Sequence, residues 1–230
     1  MILDTSAVGI FSDGKNKVYN SGNITVGATD LGPSGDHSKT DDHLNSVGMY
    51  LAGGTIAENT GTITVNHDHS VGVYVTGTGS YFTNKGAGML NIDGGGVGIL
   101  VKDGGIALNE GTITLGTNLA ACGAETVGMA AFNGGRILNT GTINVDNGGV
   151  GILVRNGAVA VNAVGGNINL GGTLASCGAV TIGMASYGTG ATIINNGTIT
   201  VNQGAGMLVG TGTIFENNGT IVVNNGVGIE

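Results

Sequence analysis

Two short motifs alternate along the whole chain, and their alternation restricts the fold more than any other feature. One is Val-Gly-(Ile/Met/Val), with its glycine at Gly9, Gly48, Gly72, Gly98, Gly128, Gly151, Gly183, Gly206 and Gly228. The other is Asn-x-Gly-Thr-Ile-x-Val, with its glycine at Gly22, Gly61, Gly86, Gly111, Gly141, Gly197 and Gly219, and Gly166 as a degenerate copy. The spacing defines about eight repeats. The short ones run 22 to 26 residues. A fixed period of this length is the mark of a solenoid, in which each repeat contacts its neighbours.

Each repeat holds three stretches with apolar residues at every second position, the pattern of strands. In the first, Val97, Ile99 and Val101 are expected on one face, with Gly98 and Leu100 on the other. The second is brief and precedes the Asn, as at Ile56 or Phe215. The third is Thr-Ile-x-Val, as at Ile63 and Val65 or Ile143 and Val145. Three strands in so few residues leave little room for hairpins between like partners. They fit one coil of a β-helix, each strand pairing with its counterpart about 4.8 Å away in the next coil. The expectation is all-β: a right-handed parallel β-helix (β-solenoid) of about eight coils of three short strands. The rod would be roughly 40 Å long.

Composition agrees. Of 230 residues 48 are Gly and one is Pro, so interior helices are disfavoured and collagen is excluded. Apolar residues make up 40%, too many for simple disorder. The net charge of −8 with 7 basic residues argues against nucleic-acid partners and anionic lipid. No apolar run reaches the ~20 residues of a membrane span. The opening "MILDTSAVGIF" lacks the basic region of a signal peptide. Residues 1–230 read as a single β-helix segment, truncated mid-coil at both ends.

Asn20, Asn59, Asn84, Asn109, Asn139, Asn195 and Asn217 each stand two residues before the marker glycine. One coil apart, their amides are expected to bond along the axis as a ladder. They are structural, not binding, residues. On the third strand the outward positions are mostly Thr, with Asn at Asn23, Asn144, Asn167 and Asn169. The array reads as broken around "KGAGMLNID" and at Val222. On the first strand the outward row runs Tyr50, Tyr74, Leu100, Ala130, Leu153, Ala185 and Leu208. Contiguous exposed apolar surface marks interaction sites, so Tyr50, Tyr74, Leu100, Leu153 and Leu208 form a candidate partner-facing row.

Three insertions, at 27–46, 116–126 and 171–181, fall at one corner. The last two each carry a cysteine. Cys122 and Cys177 are two coils apart, about 10 Å along the axis, whereas a disulfide needs Cα atoms within about 7 Å. Bent loops would bridge them; otherwise they are two small buried apolar groups. The same corner gathers His37, Asp41, Asp42, His43, His67, Asp68 and His69. Imidazole and carboxylate together suit Zn²⁺ or a similar cation, but the spacing matches no metal motif, and a solvated polar loop is the plainer reading. No cofactor motif is present. The scattered acids, among them Glu58, Glu110 and Glu216, do not resemble the paired carboxylates of a glycosidase, and the chain is expected not to be an enzyme.

The paired Asn-x-Gly-Thr-Ile-x-Val and Gly-Val-Gly-Ile motifs resemble the passenger domains of large type V autotransporter adhesins, especially the fusobacterial RadD-type. The resemblance spans essentially the whole chain. It implies a β-helix stalk on the bacterial cell surface, held to the outer membrane only through a C-terminal β-barrel not found in these residues. It implies adhesion to a surface protein or glycan of host cells or other bacteria. The alternatives are a secreted ice- or polysaccharide-binding β-helix and, third, a glycan-cleaving one.

Overall fold

The computed structural model describes residues 1–3, 7–27, 46–66, 69–116, 126–146, 148–172 and 180–230. Three parallel sheets wrap a common core. The first sheet has nine strands, from Val8–Asp13 to Val227–Ile229. The second has eight, from Lys17–Asn20 to Ile214–Asn217. The third has nine, from Ile2–Leu3 to Thr220–Val223. Neighbours in each sheet are one coil apart in sequence, so a strand of each sheet in turn makes one coil. Eight full coils result among the described residues. Register is kept throughout: Val97 pairs with Val71 on one side and Val127 on the other.

The coil with "KGAGMLNID" is regular. Met89 and Asn91 align with Thr62 and Thr64 before them and with Thr112 and Thr114 after. The turn before it absorbs the extra residues. Gly86 has open space around it, whereas a Cβ on Gly88 would lie 2.6 Å from the Asn59 carbonyl oxygen. The marker glycine of this coil is therefore Gly88, two residues later than the motif places it.

Alternation on the first sheet also needs correction. A Cβ on Gly98 would lie 2.6 Å from the Gly128 carbonyl oxygen and 2.8 Å from Cδ1 of the core residue Ile92. The glycine faces inward. So does Ile99, while Val97 and Leu100 join a separate apolar cluster outside the sheet. Two successive inward positions mark the corner where the chain bends from the third sheet into the first. Only a residue without a side chain fits there. The same 2.5–2.7 Å approach recurs at Gly48, Gly72, Gly128, Gly151, Gly183 and Gly206.

Inside, residues stack by kind. One column of the second sheet runs Ala57, Phe82, Ala107, Ile137, Ala160, Ile193, and all six are buried. Large and small alternate from Ala57 to Ala160, so Phe82 and Ile137 each have alanines above and below, while Ile193 has Ala160 on one side and Phe215 on the other.

At the corner leading to the third sheet the predicted ladder is present. Nδ2 of each Asn donates to Oδ1 of the next, from Asn20 through Asn59, Asn84, Asn109 and Asn139, at 2.8–2.9 Å. It continues through Asn162 and Asn195 to Asn217 at 2.8 Å. Asn162 belongs to the ladder although it stands four residues before its glycine, not two. It also donates to the Gly166 carbonyl at 3.4 Å, as Asn84 does to that of Gly88 at 3.1 Å. The same longer turn hides Asn162 in one coil and Gly88 in the other from the motif.

Candidate interaction surface

With its interior filled, the rod meets other molecules only through its faces and corners. The third sheet presents two outward columns in register over eight coils. One runs Asn23, Thr62, Met89, Thr112, Thr142, Asn167, Thr198, Thr220. Its neighbour runs Thr25, Thr64, Asn91, Thr114, Asn144, Asn169, Thr200, Val222. None of these positions carries a charge. Some amides bond to each other, as Asn169 Nδ2 does to Asn144 Oδ1 at 3.0 Å.

The second sheet shows the opposite chemistry. Leu108, Leu138, Val161 and Ile194 form one outward column over four adjacent coils, with Ile106 and Val159 beside it. All six are partly exposed. Sequence reading missed this face because the strand was seen only as a short segment before the Asn. Aligning the coils on the Asn would have revealed it. At the adjoining Asn corner Lys85 Nζ lies 3.6 Å from a Glu58 oxygen and 3.7 Å from a Glu110 oxygen, so one lysine ties three coils.

The candidate row on the first sheet divides into two parts. Tyr50 and Tyr74 are partly exposed and stack with Phe11: ring centroids are 5.3 Å apart for Phe11–Tyr50 and 5.1 Å for Tyr50–Tyr74, with interplanar angles of 13° and 18°. Rings stacked along the axis use their faces on each other and turn their edges outward. Tyr50 has a ring on each face, while Phe11, at the end of the stack, is 67% exposed. Burial pushes the Tyr74 hydroxyl pKa up, and Tyr50 and Asp103 push it the same way, against a hydrogen bond with Thr76. Farther along, Leu100 and Leu153 are buried, 7% and 4% exposed, in a cluster with Val127, Ala130, Val150 and Ala185. Leu208 lies at its edge, partly exposed.

Beside this row runs the column Thr76, Lys102, Phe132, Arg155, Tyr187. The Arg155 guanidinium carbon sits 5.9 Å from the Phe132 ring centroid and 5.4 Å from that of Tyr187. Cation and rings are attracted at such distances. Nothing in the repeat motif points to these residues, because the position varies from coil to coil.

Most of the insertion corner, with His37, Asp41, Asp42, His43, His67, Asp68, Cys122 and Cys177, lies outside the described residues. His69 is described: it is exposed, with φ of 56°, at the turn into the first sheet. Among the described residues no three His, Cys, Asp or Glu gather closely enough to hold a metal ion.

These features define a parallel β-helix whose varied chemistry is confined to its outer faces and corners. Residues 4–87 match the family model described as the BigA third pectate lyase-like domain. Among solved structures, the TibC-catalyzed hyper-glycosylated TibA fragment aligns over 99% of this chain and 100% of its own, at 14% identity and a TM-score of 0.19. None of the curated proteins matches the chain.

Proposed function

We propose that this β-helix is a passenger segment of a type V autotransporter adhesin of the RadD kind, a non-catalytic scaffold that holds contact surfaces away from the bacterial outer membrane. The observation that carries the reading is the uninterrupted eight-coil rod with an outward apolar column on four adjacent coils. Apolar patches of this kind mark sites of protein contact. The motifs that resemble adhesin passengers, and the similarity of residues 4–87 to a BigA domain, support the same reading. Among the described acids, Glu58 and Glu110 are both engaged by Lys85 on the surface. The partner in this reading is a protein or glycan on a host cell or another bacterium.

The test is display. Residues 1–230 are fused to a β-barrel translocator on a non-adherent bacterium, and attachment to epithelial cells and to other bacteria is counted. Attachment should rise above that of the barrel alone. Equal attachment would sink the adhesive role. Release of reducing ends from a polysaccharide panel by the purified chain would replace the non-catalytic reading with a glycan-cleaving one.

The in-register, uncharged Thr and Asn face favours a second reading, binding to ice or to a neutral polysaccharide. Ice binding requires thermal hysteresis of the purified chain; a freezing point equal to the melting point removes it.

A further inference from the structure

The Arg155 sandwich has the properties of a prepared anion site. Phe132 and Tyr187 are anchored on the outer apolar cluster of the first sheet, so the rings between which the guanidinium lies are themselves fixed. Arg155 is exposed. Stacking occupies the two faces of a guanidinium and leaves its edge N–H donors in the fork that matches a carboxylate. No carboxylate of the described residues fills that fork, although the chain has 15 acidic residues. Glu58 and Glu110, for their part, are engaged by Lys85.

The surroundings add positive charge. Lys102 stands in the same column, two coils before Arg155. That is about 10 Å along the axis. Arg136 begins the next strand around the corner from Phe132. Three of the seven basic residues of a chain with net charge −8 thus fall on three consecutive coils. Asp103, next to Lys102, accepts a bond from Thr76 Oγ1 at 3.4 Å.

The strand that holds Arg155 is paired on both sides, to Val127–Phe132 and to Ile182–Tyr187. It offers no free edge to an extended peptide, whose main chain would need one. Recognition here must come from side chains alone: two cations two coils apart with an aromatic residue between them. The separation is about the length of one disaccharide in an extended glycan, and Phe132 stands between the two cations in the column.

We propose that Arg155, with Lys102, Phe132 and Tyr187, binds an acidic glycan that carries one carboxylate per disaccharide. Arg155 takes a carboxylate in its fork and Lys102 attracts the next one along the chain. This deepens the surface-contact reading by naming a partner class. It is measured on the purified chain, so its failure leaves display and attachment standing or falling by the separate cell assay.

The probe is hyaluronan, compared with carboxyl-reduced hyaluronan, dextran sulfate and poly-glutamate, with calorimetry at fixed salt. The chain should bind hyaluronan and lose binding when the carboxylates are reduced. Arg155→Gln keeps a planar group between the rings but removes the charge, and should abolish binding. Arg155→Lys keeps the charge but not the fork, and should weaken binding about tenfold. Lys102→Met should weaken it by a similar factor. Thermal melts establish that each variant is folded; should Arg155→Gln melt early, Arg155→Lys and Lys102→Met decide. The proposal is overturned if hyaluronan does not bind, or if the folded variants bind like the parent chain. It is equally overturned if dextran sulfate or poly-glutamate binds as tightly, since the site would then be a general anion patch or a peptide site.

Discussion

Asn59 Nδ2 donates to Asn84 Oδ1 at 2.9 Å, and both side chains are wholly buried. Asn84 in turn donates to Asn109 Oδ1, also at 2.9 Å, and to the Gly88 carbonyl at 3.1 Å. One amide therefore satisfies three groups of three coils. Asn84→Ala removes it and leaves a donor on Asn59 and the Oδ1 acceptor of Asn109 without that partner, while the Gly88 carbonyl keeps its bond from the Thr112 N–H at 3.0 Å. Each buried orphan costs about 1–3 kcal/mol, less where water enters. We expect a loss of about 2–5 kcal/mol in denaturant unfolding. Asn218→Ala, at an exposed amide whose one described partner is Asn196, should cost under about 0.5 kcal/mol. Equal losses at the two sites would show that the ladder carries no special stability.

The glycines around "KGAG" separate motif from mechanism. By spacing, Gly86 is the motif's marker. By geometry, Gly88 is the one that cannot hold a side chain, since its Cβ would meet the Asn59 carbonyl and the Asn84 amide. Gly86→Ala is expected to be neutral or stabilising by up to about 1 kcal/mol, through lower entropy of the unfolded chain. Gly88→Ala should destabilise by about 2 kcal/mol or more, because backbone must shift to admit it. Thermal melts of the two variants, side by side, decide the assignment.

This contrast also shows what the sequence made legible. In a solenoid the contacts join equivalent positions of adjacent repeats, so a repeat spacing read from the chain is already a pairing table. The parallel coils, the Asn ladder and the Thr columns followed from that alone. Asn162 did not, because its turn has two extra residues and the motif is keyed to turn length. The inward glycines did not, because strict alternation fails at a corner. The Phe132–Arg155–Tyr187 stack did not, because its parts lie at a position that the repeat leaves free. Residues that vary on a constant scaffold are where recognition is built, and they are also the residues that a repeat motif ignores.

The alternating column Ala57, Phe82, Ala107 predicts that size matters here by sum, not by site. Phe82→Ala leaves a cavity between two alanines and should cost about 3–5 kcal/mol. Ala107→Phe alone overpacks against Phe82 and Ile137 and should cost about 1–3 kcal/mol. Combined, Phe82→Ala and Ala107→Phe return the lost volume one coil farther on. The pair should be more stable than the sum of the single losses by at least about 1 kcal/mol, a coupling measured by a double-mutant cycle. Strict additivity would mean that the two positions do not share space.

Tyr74 supplies a pH signature for the first sheet. Its hydroxyl pKa lies above the ordinary value of 10.0, mainly because burial opposes the charged form, and Tyr50 and Asp103 add to the effect. A group whose pKa is raised by folding contributes stability fully below its unfolded pKa and loses it as pH rises through the folded one. Stability should therefore be unaffected by Tyr74 near neutrality and fall as the pH climbs above about 10. Tyr74→Phe keeps the stack with Tyr50 and removes the ionisable group. Its stability should change less steeply over that alkaline range than that of the parent chain. Unfolding free energies of both proteins at stepped pH, with tyrosinate absorbance near 295 nm as roughly the second readout, provide the measurement. Parallel curves would mean that the Tyr74 hydroxyl is as well solvated in the folded rod as in the unfolded chain.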